Sequence, residues 1–129
     1  MISNSFPGAS PLAKELGEQG AGVVVATVVP PFAKATLPIV AEYRAAMDKA
    51  FGDKAYSFTS LESYISAKVT VEAMRRAGPK LTRETFSRAL DAMSDYDVGG
   101  YTVGFSPTNH NGSSFVELAV ISKGQQFKY

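Results

Sequence analysis

The residues that could do chemistry in this chain are few, and most stand without the partners they would need. His110 is the single histidine and sits between Asn109 and Asn111. A general base or a metal ligand needs oriented partners, and no nucleophile or second ligand stands at a matching spacing. A structural or solvated role is the simpler reading. Asp95-x-Asp97-x-Gly99 has the opening of a calcium loop, but Phe105 stands where the bidentate glutamate belongs, so a turn is expected. Gly99 to Gly104 has the glycine spacing of a phosphate-binding loop, yet Phe105-Ser106 follow instead of Lys and Ser/Thr. Gly17, Gly20 and Gly22 precede a strand-like run, whereas a dinucleotide fingerprint follows one. Ser57, Ser60, Ser63 and Ser66 lie outside any G-x-S-x-G elbow. No catalytic residue, cofactor or metal ligand is therefore assigned.

One stretch remains, Tyr56-Ser57-Phe58-Thr59-Ser60 leading into Leu61-Glu62-Ser63-Tyr64 and a helix to about Ala77. Thr59 and Glu62 have the spacing of a capping box, with Thr59 as N-cap. Lys68, Glu72, Arg75 and Arg76 cluster on one side of the wheel and are expected to meet solvent. Ser63, Ser66, Ala67, Thr70, Ala73, Met74 and Ala77 lie opposite and are expected to seat the helix closely on its neighbours. A capped helix entrance offers free N–H groups and the positive end of the dipole, which suits a carboxylate or another anion. Tyr56, Phe58, Thr59, Ser60 and Tyr64 are the candidate ligand-binding residues. As core residues, the three aromatics would instead anchor the same entrance.

The elements that must position this loop can be placed from turn and cap signals. Residues 3–8 read as turn chemistry, and a short helix is predicted over 11–16 with Ser10 as cap and Gly17 as stop. Residues 23–29 form a β-branched run that reads as a strand buried on both faces, ended by Pro30-Pro31. A helix over 38–51 carries Val40, Tyr43, Met47 and Phe51 on one face, and Gly52 ends it. Another helix starts at Thr82, with Leu81 and Phe86 placed as a hydrophobic staple. Tyr101, Val103 and Phe105 alternate as a half-buried strand; strands over 115–122 and 126–129 follow.

Composition narrows the class. With 13 basic and 12 acidic residues the net charge is +1, so there is no electrostatic footprint for nucleic acid or an anionic membrane. No cysteine is present, which rules out disulfides and thiolate metal sites. No apolar run approaches a membrane span, and the N-terminus lacks the pattern of a secretion signal.

Three blocks then fall into one order: Leu16-Gly17-Glu18 with Gly22-Val23-Val24-Val25 and Val28-Val29-Pro30; Ser60 to Val69 with Val71-Glu72-Ala73 and Arg76-Ala77-Gly78; and Gly99-Gly100, Phe105-Ser106-Pro107, His110-x-Gly112-Ser113 and Phe115-Val116-Glu117-Leu118. This order resembles the C-terminal part of the branched-chain amino acid (Leu/Ile/Val) type of ABC-transporter periplasmic substrate-binding proteins. The resemblance implies an α/β fragment of the type I periplasmic-binding-protein fold, with three to four helices packed on a small sheet and C-terminal antiparallel strands. It implies a remnant of the second lobe over 1–29, first-lobe helices over 30–98, and strands crossing back through the hinge over 99–129. It also implies a non-catalytic protein whose ligand is an aliphatic or aromatic amino acid or small carboxylate, whose partner is an ABC permease, and whose full-length form is periplasmic.

The family's opening strands and most of its second lobe have no counterpart here, so a truncated chain with reduced or no binding is expected. As written, without a signal peptide, it would be cytoplasmic. Lost neighbours of the 23–29 strand would leave open edges, which predicts a homodimer or larger assembly through exchange about the 30–37 connector. The alternatives are an oligomeric interaction module without ligand and a small hydrolase or transferase using Ser60 or His110.

Overall fold

The computed structural model describes residues 2–4, 9–52, 56–124 and 126–129. A mixed four-stranded sheet has the order β1 (Ile2–Asn4), β2 (Val24–Thr27), β5 (Glu117–Ile121), β6 (Phe127–Lys128). β1 runs parallel to β2, with Ile2 opposite Val24; β5 runs antiparallel to β2, with Val24 opposite Val120. Two expectations are corrected here. Residues 2–4 form a strand rather than the start of a turn, and residues 5–8 lie outside the described residues. Both edges of β2 are paired within the chain, so strand exchange through β2 has no open edge to act on. Its two faces are also unequal. Val25 and Thr27 are fully buried, while Val24 and Ala26 are half-buried.

Between β1 and β2 lies α1 (Ala9–Leu16), in which Ser10 is helical rather than a cap. A 3-10 turn over Gly17–Gly20 follows. α2 spans Pro38–Phe51, with proline in its first turn and Gly52 past its end at φ 77°. Ile39, Val40 and Tyr43 carry its buried face, while Phe51, expected on that face, is exposed.

α3 (Phe58–Ala77) departs most from its reading. Its buried stripe is Phe58, Leu61, Ile65, Val69 and Ala73, whereas Ser63, Ser66, Ala67, Thr70 and Met74 are exposed. Burying a large apolar side chain returns about 1.5–3 kcal/mol and a hydroxyl far less, so the stripe richest in Leu, Ile and Val turns inward. The expected charged face does form. Glu72 pairs with Arg75 at 2.8 Å and Arg76 at 2.9 Å, and Lys68 crosses to Glu42 of α2 at 2.6 Å.

Packed against α3 is α4 (Arg83–Asp91), whose N-cap is Thr82. Met93 follows it into the core, and the hairpin β3 (Tyr96–Asp97) and β4 (Thr102–Val103) turns at Gly99 and Gly100, both at positive φ. The Gly99 carbonyl accepts from the Ile39 N–H at 3.0 Å, and a Cβ on Gly99 would meet that same nitrogen at 3.0 Å. This close approach ties the hairpin to the start of α2. One hydrophobic cluster runs from Ala9 and Val25 through Tyr43, Leu61 and Met93 to Ile121.

Candidate ligand-binding site

The entrance to α3 is held by a compact hydroxyl network. Ser57, with extended backbone at φ −153°, is the N-cap, and its side chain accepts from the Ser60 N–H at 3.1 Å. The Ser60 hydroxyl in turn accepts from the Ser57 N–H at 3.2 Å, closing a capping box two residues earlier than the expected Thr59–Glu62 box. Thr59 is consequently an exposed first-turn residue. Fully buried Tyr43 supplies the reason for this choice. Its hydroxyl lies 2.5 Å from the Ser60 hydroxyl and accepts from the Ser57 N–H at 3.0 Å. By helix geometry, the N–H groups of Phe58 and Thr59 at this end have no intrahelical acceptor.

The aromatic residues divide between two sides of this entrance. Tyr56 is half-buried, donates to Asp48 and lies under the Arg44 guanidinium, 4.7 Å from the ring centroid. Its phenol is pushed above the usual tyrosine value, first by the Asp48 hydrogen bond and then by burial. Phe58 is 2% exposed and packs edge-on to Phe32, Phe127 and Tyr129 at 4.8, 5.6 and 6.3 Å. Tyr64 meets Tyr43 at 5.7 Å and lines a shallow groove of about 220 Å³ with Lys68, Val71 and Tyr96. Loss of solvent pushes its phenol upward too, with Glu42 contributing next. The structure thus gathers Tyr56, Ser57 and Ser60 around Tyr43, turns Phe58 into an aromatic cluster and sends Tyr64 to a separate groove.

Two larger cavities flank the entrance. One of about 500 Å³ is lined by Pro31, Lys34, Thr36, Phe127, Lys128 and Tyr129, immediately behind the rings that Phe58 touches. Burial, and then Glu117, push the Tyr129 phenol up to about 12. A second, of about 440 Å³, lies between α3 and the 101–113 segment. Ile65, Val69, Leu90, Val103 and Phe105 give it an apolar floor, and Glu62, Ser66, Thr70 and Ser113 give it a polar rim. Sequence reasoning placed none of Tyr43, Phe127 or Tyr129 at the site, although Tyr43 was legible as the inward residue of its helix. The 101–105 alternation was the available signal for the second cavity.

Other candidate chemistry is dispersed. His110 is exposed, and its described ion-pair partner is Asp91 at 3.5 Å. Among the described residues no three His, Cys, Asp or Glu side chains converge as a metal site would require. No described helix is long and apolar enough to cross a membrane.

A family model described as "Periplasmic binding protein" matches residues 1–126. A search of curated proteins returned no significant match. Among solved structures, a possible leucine/isoleucine/valine-binding protein from Rhodopirellula baltica is similar over 99% of this chain, at 33% identity and TM-score 0.89. A substrate-binding periplasmic protein from Ralstonia solanacearum is 37% identical over 98% of the chain, with TM-score 0.83. An extracellular ligand-binding receptor from Verminephrobacter eiseniae is 31% identical over 99% of it, with TM-score 0.84. The chain spans 35%, 36% and 37% of those three proteins, respectively. Sequence and architecture agree along nearly the whole chain, which belongs to the periplasmic binding protein family and carries part of its type I fold.

Proposed function

We propose that this chain is a non-catalytic, solute-binding part of an ABC importer and forms one wall of a site for an amino acid or small carboxylate. The observation that carries this reading is the 33% identity, across 99% of the chain, to a protein described as possibly leucine/isoleucine/valine-binding. In this reading residues 1–29 belong to a second lobe, residues 30–98 to the helices of a first lobe, and residues 99–129 return across the hinge. The wall is the α3 entrance, where Tyr56, Thr59 and Ser60 stand at the helix's positive end, with Phe58 backing it from the aromatic cluster and Tyr64 in the neighbouring groove. A carboxylate there would be met by the N–H groups of the first turn, and the apolar part of the ligand by aromatic rings. The partner is an ABC permease, and the full-length protein is periplasmic.

A single wall leaves most of a ligand wet, so affinity is expected to be far weaker than that of a closed two-lobed site. Titration of the isotope-labelled chain with leucine, valine and phenylalanine tests this. The expected result is weak, saturable shifts of backbone amide signals concentrated at residues 56–64. Shifts confined to the cavity between α3 and residues 101–113 would overturn the assignment. The exposed position of His110, whose described ion-pair partner is Asp91, supports the non-catalytic reading over a hydrolase.

A further inference from the structure

The segment that walls the 440 Å³ cavity contains the chain's single Asn-Gly step, Asn111-Gly112. Asn111 is exposed, and both residues lie between β4 and β5, outside any helix or strand. The N–H of Gly112 donates no hydrogen bond among the described residues, whereas its carbonyl accepts from the Gly104 N–H at 2.8 Å. Gly112 also lies against the Phe105 ring, which a Cβ at that position would meet at 2.8 Å. The Phe105 N–H donates in turn to the Met93 carbonyl at 2.8 Å. Gly112 therefore ties Gly104 and Phe105, and with them part of the cavity's apolar floor, to the loop over 106–113.

The side-chain carbonyl of an asparagine is an electrophile within reach of the next residue's backbone nitrogen. Attack closes a five-membered ring when that nitrogen is uncrowded and its proton is not held by an acceptor. Glycine has no Cβ to crowd the approach, and the Gly112 N–H has no acceptor among the described residues. The chain's other asparagines, Asn4 and Asn109, stand differently. Asn109 is followed by the His110 side chain, and its Oδ1 accepts from the Asn111 N–H at 3.0 Å, in a turn closed by the Ser106–Asn109 bridge. Asn4 lies in β1, opposite Ala26 of β2.

We propose that Asn111 is a site of spontaneous deamidation, and that its isoaspartyl product releases Gly112 from Gly104 and loosens the cavity wall. The Gly112 nitrogen loses its proton to solvent base and bonds to Asn111 Cγ. The Cγ–Nδ2 bond breaks and ammonia leaves, giving a cyclic imide. Water then opens the ring. Addition at Cγ gives aspartate, and addition at the main-chain carbonyl gives isoaspartate, in which the chain runs through Cγ. One amide and one water thus become one carboxylic acid and one ammonia, with no change of oxidation state. Either product puts a negative charge next to a rim that already holds Glu62. Only isoaspartate also lengthens the main chain by a methylene, immediately before the carbonyl that holds the Gly104 N–H. The assignment is independent of which solute the α3 entrance takes.

The test incubates the folded chain at mildly alkaline pH without solute, follows each asparagine by peptide mapping in a mass spectrometer, and detects isoaspartate with an isoaspartyl methyltransferase. Asn111 should convert at least about tenfold faster than Asn109 or Asn4, because only its neighbour lacks a Cβ. Its rate should stay within about tenfold of that in the urea-unfolded chain, since no local structure guards the Gly112 nitrogen. Asn111→Gln, which would need a six-membered ring, should abolish the signal. Conversion no faster than at Asn109, or suppressed further than that by folding, would overturn the site. Hydrogen exchange then reads the consequence. The Gly104 amide should exchange about tenfold faster in the isoaspartyl form than in the unmodified chain. In Asn111→Asp, which adds the charge without the methylene, it should exchange as in the unmodified chain. Unchanged Gly104 exchange in the isoaspartyl form would overturn the link to the cavity wall. No solute enters either measurement, so this result and the titration with amino acids can fail separately.

Discussion

Ser57 does more at the α3 entrance than its size suggests. Its side chain caps the Ser60 N–H and its backbone N–H is shared between Ser60 and Tyr43. Ser57→Ala removes the cap and should cost about 1 kcal/mol. For a chain of this size that lowers the melting temperature by about 3–5 °C. Thr59→Ala should change it by less than a degree or two, since Thr59 caps nothing; a calorimetric melt of both variants makes the comparison. Tyr129 offers a second test at this scale. Its folded pKa is about 12 against an ordinary 10.0. The neutral phenol is favoured in the folded chain, so the associated stability is fully present below pH 10 and is lost as pH rises toward 12. Denaturant midpoints measured from pH 9 to 12 should fall in wild type and fall less steeply in Tyr129→Phe. The phenol is about half exposed, so the difference is expected to be small.

At the scale of elements, α3 is the member on which the rest is hung. It packs on α2 and α4 and its stripe faces the core. Two residues of that stripe differ in surroundings. Leu61 is fully buried, while Ile65 is nearly so but also borders the 440 Å³ cavity. Truncation beside an existing cavity removes fewer contacts than truncation in a filled site. Leu61→Ala should therefore cost about 3–4 kcal/mol and Ile65→Ala about 2 kcal/mol. Urea unfolding with an unchanged slope would measure both. Equal losses would mean that the cavity wall packs as tightly as the interior. The outer side of α3 is organised by charge instead. Arg76 and then Arg75 hold the Glu72 carboxyl below its usual range, and these exposed pairs orient the helix surface more than they stabilise it.

For the whole molecule, the controlling fact is the imbalance between a closed core and an open sheet face. A single cluster from Ala9 to Ile121 gives the chain its own interior, yet Ile2, Val116, Leu118 and Val120 stay in water. Association through β2 edges was the expectation from sequence, and internal pairing with β1 and β5 removes it. What remains exposed is a face rather than an edge.

Local signals in the sequence were enough for α2, whose bounds follow from Pro38 and Gly52, and for Thr82 as the cap of α4. They were enough for the inward alternation of Tyr101, Val103 and Phe105, because each depends on a residue and its near neighbours in sequence. The family order of blocks was legible for the same reason. The cap of α3 was not. Ser57, Thr59 and Ser60 are all competent, and the choice belongs to the Tyr43 hydroxyl, fourteen residues before Ser57. Nor was the inward face of α3, since its wheel carries a small-residue side and an apolar side, and only packing against the other elements selects between them. The pairing of Ile2–Asn4 with β2, and the cavities beside Phe58 and Ile65, likewise depend on contacts between segments far apart in the chain. Such contacts are decided by which surfaces exclude water together, and that is a property of the assembled fold.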